Sequence, residues 1–343
     1  MVKISLSYFA ASSDLESSMS PYDVLLDSAR LADEAGLEAV WLPERHFDDF
    51  GYPFPNPSVA AAAVAATTRR IGIRAGSVVL PLHHPARVAE EWAVVDQLSR
   101  GRVGISFASG WHGRDFILSR SDVTERRRVM REGIDTVRAL WRGEPQSFQD
   151  PAGNEIKVLT QPRPVQPELP TWLTSGGSRS TFGLAGSLGA GVLTHIVGQS
   201  PERLTQNIAA YRAAWEKHGD GRGHVTLMLH THILDGSRRA AARAEAELNR
   251  YLDSSMKLDE SNVANVKDAA TVRSMSDADR QAVAALGTSR FSETGLICTV
   301  DQVPERLAVV ASWDVDEIAC LIDFGFDHSS IMKSLGDLLT AVA

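Results

Sequence analysis

Cysteine is nearly absent from this 343-residue chain, which has only Cys298 and Cys320. Two are too few for a disulfide framework, so a packed core must hold the fold. Their surroundings, GLICTV and IACLID, read as buried strands or strand ends, and a reducing, cytoplasmic setting is expected. Long apolar runs are missing too. The most apolar stretch, Val59 to Ala66, is mostly alanine and stops at Thr67-Thr68-Arg69-Arg70, well short of the roughly 20 residues of a membrane span. Positive charge is not in excess: 35 Lys and Arg stand against 43 Asp and Glu, a net charge of −8 that repels a phosphodiester backbone and argues against nucleic acid as a partner. The first residues alternate as ISLSYF before a Ser-rich run, the pattern of a first strand rather than of a secretory signal. With 43% hydrophobic and 23% charged residues, the chain has the composition of a folded globular protein, which excludes disorder.

Short apolar runs alternate with longer segments of helical period, the pattern of parallel strands covered by helices. Eight strands are expected, at Lys3–Tyr8, Ala39–Pro43, Ile71–Leu80, Arg102–Ala108, Thr171–Ser175, Ala190–Thr194, Val225–Leu234 and Glu317–Ile322. Helix signals fall between them: Ser20-Pro21 opens the first helix, Gly36 closes it, and a stripe from Val129 to Trp141 marks the fourth. The Pro-rich stretch 143–169 reads as an excursion with a hairpin around Asn154, and residues 237–295 as a helical insertion between the seventh and eighth strands. No linker composition divides the chain. The expectation is one elaborated (β/α)8 TIM barrel over residues 1–343, an α/β fold.

In such a barrel the site is built at the C-terminal ends of the strands. The second strand runs into Glu44, Arg45 and His46, an acid, a permanent cation and a base that are costly there unless they face a polar pocket. The seventh strand alternates Thr226, Met228, His230 and His232 with Val225, Leu227 and Leu229, which turns the histidines toward the barrel axis. His-x-His also suits a metal, but Asp323 is the one nearby carboxylate, so no metal site is expected. His83, His84 and His112 are further strand-end imidazoles with no assigned role. After the fifth strand, Ser175, Gly176, Gly177 and Ser178 precede a helix, a turn suited to an anion. Arg126, at the start of the fourth helix, can add a guanidinium to the same anion. Small residues in the third strand (Gly76, Ser77) and after the fourth (Ser109, Gly110, Trp111) leave room for a planar ligand.

The runs VWLPERHFDDFG, GSVVLPLHHPARVAEEWAVVDQLSRGRVGISFASGW and AGVLTHIVGQSPERL closely resemble the luciferase-like flavin monooxygenases, over nearly the whole chain. VLTHIVGQSPERL and GRGHVTLMLHTH look most like the subgroup of FMN-dependent monooxygenases found with nonribosomal peptide and polyketide assembly lines. The resemblance implies a non-proline cis peptide at Gly76-Ser77 against the flavin ring. It also implies an FMN phosphate held by Arg126 and the 175–178 turn, and a Glu44 near the flavin. Bacterial luciferase has a catalytic histidine where this chain has Arg45, followed by a second that aligns with His46, so acid-base work falls to His46, Arg45, His230 or His232. The implied activity oxygenates a small or carrier-tethered organic substrate with dioxygen and reduced FMN, in natural-product biosynthesis. With no separate Gly-rich dinucleotide-binding unit in sight, a flavin reductase is the expected partner, and a homodimer the expected assembly. A deazaflavin-dependent dehydrogenase on the same barrel and a non-catalytic flavin-binding subunit are the competing readings.

Overall fold

A computed structural model describes residues 2–9, 20–48, 53–219, 221–260 and 295–342. Its strands in chain order are β1 (Lys3–Ser7), β2 (Ala39–Leu42), β3 (Gly72–Val79), β4 (Val103–Ala108), β5 (Gln146–Gln149), β6 (Glu155–Val158), β7 (Thr171–Ser175), β8 (Gly191–His195), β9 (Val225–Leu234), β10 (Leu296–Thr299) and β11 (Glu317–Leu321). Eight of them close into a parallel barrel in the order β1, β2, β3, β4, β7, β8, β9, β11 and back to β1. The expected fold class is therefore the observed one. β5 and β6 form the antiparallel hairpin expected around Asn154. β10 pairs with the last residues of β9 outside the closed ring.

The helices are α1 (Pro21–Ala35), α2 (Pro57–Thr67), α3 (Pro85–Ser99), α4 (Arg126–Arg142), α5 (Arg179–Ser187), α6 (Pro201–Trp215), α7 (Arg238–Glu260), α8 (Val303–Ala311) and α9 (His328–Val342). Four of them begin with a capping residue followed by proline: Ser20-Pro21, Asn56-Pro57, His84-Pro85 and Ser200-Pro201. In each the cap side chain accepts a backbone N–H of the first turn, which is the local reason the helix starts there. α1 also has a full capping box with Asp23, and ends at Gly36 with φ of 76°. The stripe expected on the fourth helix is buried from Met130 to Trp141, while Val129 lies at its edge. Two elements go beyond the sequence pattern, β10 and α8. Of the expected insertion, the first part is α7; the second helical stretch expected from Ser276 to Leu286 lies outside the described residues.

The barrel interior is closed from below. Trp41, Trp172, Leu193, Ala319 and Met228 pack together inside the ring, with Trp41 and Trp172 edge to face at 5.3 Å. Trp172 fits because Gly104 and Gly191 carry no Cβ beside it; a Cβ on Gly104 would stand 2.7 Å from its ring. The Arg74 guanidinium lies over both tryptophan rings and donates to Glu317 at 2.6 Å and Glu38 at 2.9 Å. Glu317 is fully buried and also accepts from Ser5, Trp41 Nε1 and His224. Burial alone would raise its pKa, but Arg74, His224 and Ser5 outweigh that and hold it at about 2. A carboxylate survives there because several donors surround it. With this end plugged, the strand C-termini are the end at which such a barrel builds a site. Among the described residues no helix is long and apolar enough to cross a membrane.

Candidate active site at the barrel mouth

Glu44 follows β2 and is the organising group of the mouth. Its Oε1 accepts from His83 Nε2 at 2.6 Å and His46 Nε2 at 2.9 Å, and its Oε2 accepts the Val79 N–H at 2.7 Å. An ionised acceptor fixes both imidazoles with a proton on Nε2. Burial raises the Glu44 pKa, but the histidine hydrogen bonds outweigh it and the net shift is downward. Burial lowers the His83 pKa, and the bond to Glu44 reverses that to a net rise. Glu44 thus ties the exit of β2 to the end of β3 and to the loop carrying His83.

The Gly76-Ser77 peptide is cis, as the family resemblance implies. A Cβ on Gly76 would press on Leu193 and Trp41, so the glycine lets β3 sit directly on the inner tryptophan layer. Ser77 Oγ meets Thr174 Oγ1 at 2.5 Å, and Thr174 meets Ser106 at 2.7 Å. These hydroxyls form a polar line across β3, β7 and β4.

The turn after β7 is rigidly braced. Ser175 Oγ accepts the N–H groups of Gly177 and Ser178, and Asn207 donates to the Gly177 carbonyl. Gly177 has φ of 105°, and a Cβ there would lie 3.1 Å from Gln199 Oε1, so glycine is required on both counts. Ser178 caps α5 without a side-chain bond to the helix backbone, its Oγ meeting Ser180 Oγ at 2.9 Å instead. Arg126 is the first residue of α4, the helix between β4 and β7, so its backbone and the start of α5 lie at the same rim. Its Nη1 donates to Val123, while its Nε is buried without a hydrogen-bond partner. Burial and the adjacent Arg127 both act against its cation. An anion beside Arg126 would satisfy that orphaned donor.

Arg45 is 4% exposed. Its guanidinium lies 5.1 Å from the Trp111 ring centre and 5.9 Å from that of Phe9, so the loop after β4 reaches across to the exit of β2. Trp111 itself is partly exposed, and the Gly110 before it has φ of 76°. A Cβ on Gly110 would collide with Val79 and Phe116.

His230, on β9, lies edge to face with Tyr251 at 4.4 Å and with Phe324 at 5.2 Å. Burial and then the nearby His195 push its pKa down to about 3. His232 is placed elsewhere. It stacks on Phe326 at 3.6 Å, and after burial the charges acting on it are those of Arg243, Asp327, Lys333 and Asp337. The reason is that β9 outlasts its pairing with β11, and its last residues leave the barrel to pair with β10.

Two groups, His195 and Thr174, escaped the sequence reading, and His112 was given no role by it. His195 ends β8; burial lowers its pKa, and its Nδ1 is buried without a partner. It lies close to Gly176, whose Cβ would meet its Nε2 at 3.4 Å. Its strand-end position was a usable signal. His112 is 1% exposed and shares a hydrogen bond with Asp115. Thr174 completes the hydroxyl line, which no spacing in the sequence announces. Among the described residues no three His, Cys, Asp or Glu side chains converge to hold a metal ion.

A parallel barrel plugged at one end, with imidazoles, a guanidinium and a glycine-serine turn gathered at the other, has the layout of a barrel enzyme. The chain belongs to the luciferase-like monooxygenase family, whose profile matches residues 2–317. It is 25% identical over 341 residues to the oxygenase component of a flavin-dependent trigonelline monooxygenase from Acinetobacter baylyi, covering 96% of this chain and 91% of that protein. A shorter match, 32% over 154 residues, is to an alkanal monooxygenase alpha chain from Photorhabdus luminescens, 45% of this chain and 40% of that one. Among solved structures, a monooxygenase from Streptomyces bottropensis superposes with a TM-score of 0.80 at 22% identity, covering 99% of this chain and 98% of that one. The oxygenating constituent of 3,6-diketocamphane monooxygenase from Pseudomonas putida, in complex with FMN, superposes with a TM-score of 0.76 at 17% identity, covering 100% and 98%.

Proposed function

We propose that this chain is the oxygenating component of an FMN-dependent monooxygenase, acting on a small or carrier-tethered organic substrate in natural-product biosynthesis. A separate flavin reductase supplies the reduced cofactor. The observation that carries the reading is the Ser77–Thr174–Ser106 hydroxyl line at the mouth of a barrel of this family. The residues fit the cofactor: its ring would rest on Gly76 and Ser77, and its phosphate would sit by the turn 175–178 at the start of α5, with the orphaned Arg126 Nε of the same rim as a donor. The relative named as an oxygenase component supports the reductase partner.

Reduced FMN, when bound, supplies the electrons with which dioxygen is activated. The chain's own part is to orient and to exclude water. Glu44 holds the end of β3 in place through the Val79 N–H and orients His46. His230 and His195 are neutral at ordinary pH, so each offers one nitrogen as a proton acceptor and one as a donor. Phe9, Trp111 and Tyr251 form an apolar wall beside them. His232, turned to Phe326, is not part of the proposed machinery.

The test is titration of the purified apoprotein with FMN, oxidised and reduced. Reduced FMN should bind, and Arg126→Gln should weaken it by about 10-fold or more, the usual worth of a charge-assisted hydrogen bond. Oxygenation should require an added flavin reductase. Turnover with NADH alone, or binding of a deazaflavin in preference to FMN, would overturn the reading.

A further inference from the structure

We infer that Arg45 is a substrate-recognition residue and that the substrate it selects is an organic carboxylate. The inference rests on the flavin reading above for the place where oxygen is delivered, but its evidence is separate. Arg45 is 4% exposed, and its Nε and Nη2 are both buried without a hydrogen-bond partner. These two nitrogens lie on one edge of the guanidinium and point their N–H bonds the same way. That edge takes both oxygens of a carboxylate in a bidentate pair. Two buried donors of a permanent cation, left unmade, are costly unless a ligand completes them.

The surroundings leave that place to a ligand. Asp115 and Asp48 act on Arg45 through their charge, with no hydrogen bond to it, and Asp115 is engaged by His112 Nδ1 at 3.0 Å. Tyr251 is the third group acting on it by charge. The guanidinium lies over the rings of Trp111 and Phe9, which give it no carboxylate or carbonyl acceptor, and its Nε–Nη2 edge has no hydrogen bond. From Phe9 the aromatic wall continues through Tyr251 to His230. A substrate with its carboxylate on Arg45 would lay an apolar body along those rings toward the neutral imidazoles. The proposed phosphate turn follows β7, three strands round the barrel from β2, so Arg45 and the cofactor's phosphate are not in competition.

The experiment measures binding of benzoate, phenylacetate and octanoate against their methyl esters, by tryptophan fluorescence and thermal shift, with and without FMN. At least one acid should bind about 30-fold or more tightly than its ester. Arg45→Met should erase that preference, since removing one partner of a buried charge-assisted pair costs at least this much. Arg45→Lys, which keeps the charge and loses the fork, should recover only part of it. Equal binding of every acid and ester, or a preference that survives Arg45→Met, overturns the inference. So does competition by inorganic sulfate as strong as by the acids, which would mark a general oxyanion site. If FMN fails to bind, the flavin reading falls, while the acid-to-ester ratio measured without FMN still decides the role of Arg45.

Discussion

His230 shows how one side chain's surroundings become a property of the whole protein. Its folded pKa is about 3, against about 6.5 in an unfolded chain. As pH falls below 6.5 the unfolded chain takes up a proton that the folded one refuses, so stability falls by up to about 1.4 kcal/mol per pH unit for this one group. His195 and His232 shift in the same direction. His83 shifts upward, so its contribution is present below about pH 6.5 and is lost as pH rises through its folded value. Because the His83 contribution is lost only above about pH 6.5, the three lowered histidines set the histidine slope between pH 5 and 6.5, and it is positive. Urea unfolding across that range should show it, and His230→Gln should make the slope shallower. An unchanged slope would mean that the imidazole is not held neutral. The glutamates act in a separate window: Glu44 and Glu317, both lowered, contribute above about pH 4.5 and lose their contribution as pH falls through their folded values.

At the scale of elements, the barrel interior depends on pairs of large and absent side chains. Trp172 on β7 occupies the space left by Gly104 on β4 and Gly191 on β8, and a Cβ on Gly191 would overlap its indole ring. Gly191→Ala should therefore destabilise the protein by about 1 to 3 kcal/mol, the usual cost of overpacking a core. Combining it with Trp172→Phe should restore part of the loss, and chemical denaturation of the single and double variants measures both. Strand and helix positions were readable because their local signals are strong. A cap followed by proline begins α1, α2, α3 and α6, and apolar runs of strand length mark all eight barrel strands. β10 and α8 were not readable in this way. β10 is four residues long and pairs with the overhang of β9, a partner that exists only once the barrel has closed.

At the scale of the whole molecule, the question is how many copies make the working unit. α2 carries apolar residues all round, with Val59 at 68% exposure, and α3, packed against it, exposes Val94 at 44% and Leu98 at 52%. Exposed apolar side chains on adjacent helices suit a protein partner, and we propose that they belong to the interface of the homodimer expected from the sequence. Sedimentation should give a dimer for the wild type and a monomer for the double variant Val59→Asp with Leu98→Asp. Each position is exposed, so the monomer's own stability should change by no more than about 0.5 kcal/mol for each substitution. A wild-type monomer would refute the proposal.

The order of strands and helices, and the closing of eight of them into a barrel, were determined by the sequence, because hydrophobic period, caps and turns act over a few residues at a time. So was the choice of rim, since parallel strands put every strand-end loop on one side. Which side chains meet there was decided by the tertiary structure alone. Glu44 and His83 are 39 residues apart, and Ser77 and Thr174 are 97; their encounter depends on how the closed barrel brings distant strands side by side. His230 and His232 looked equivalent by alternation, and the end of the β9–β11 pairing separated them. That is a matter of strand pairing, which no local pattern records.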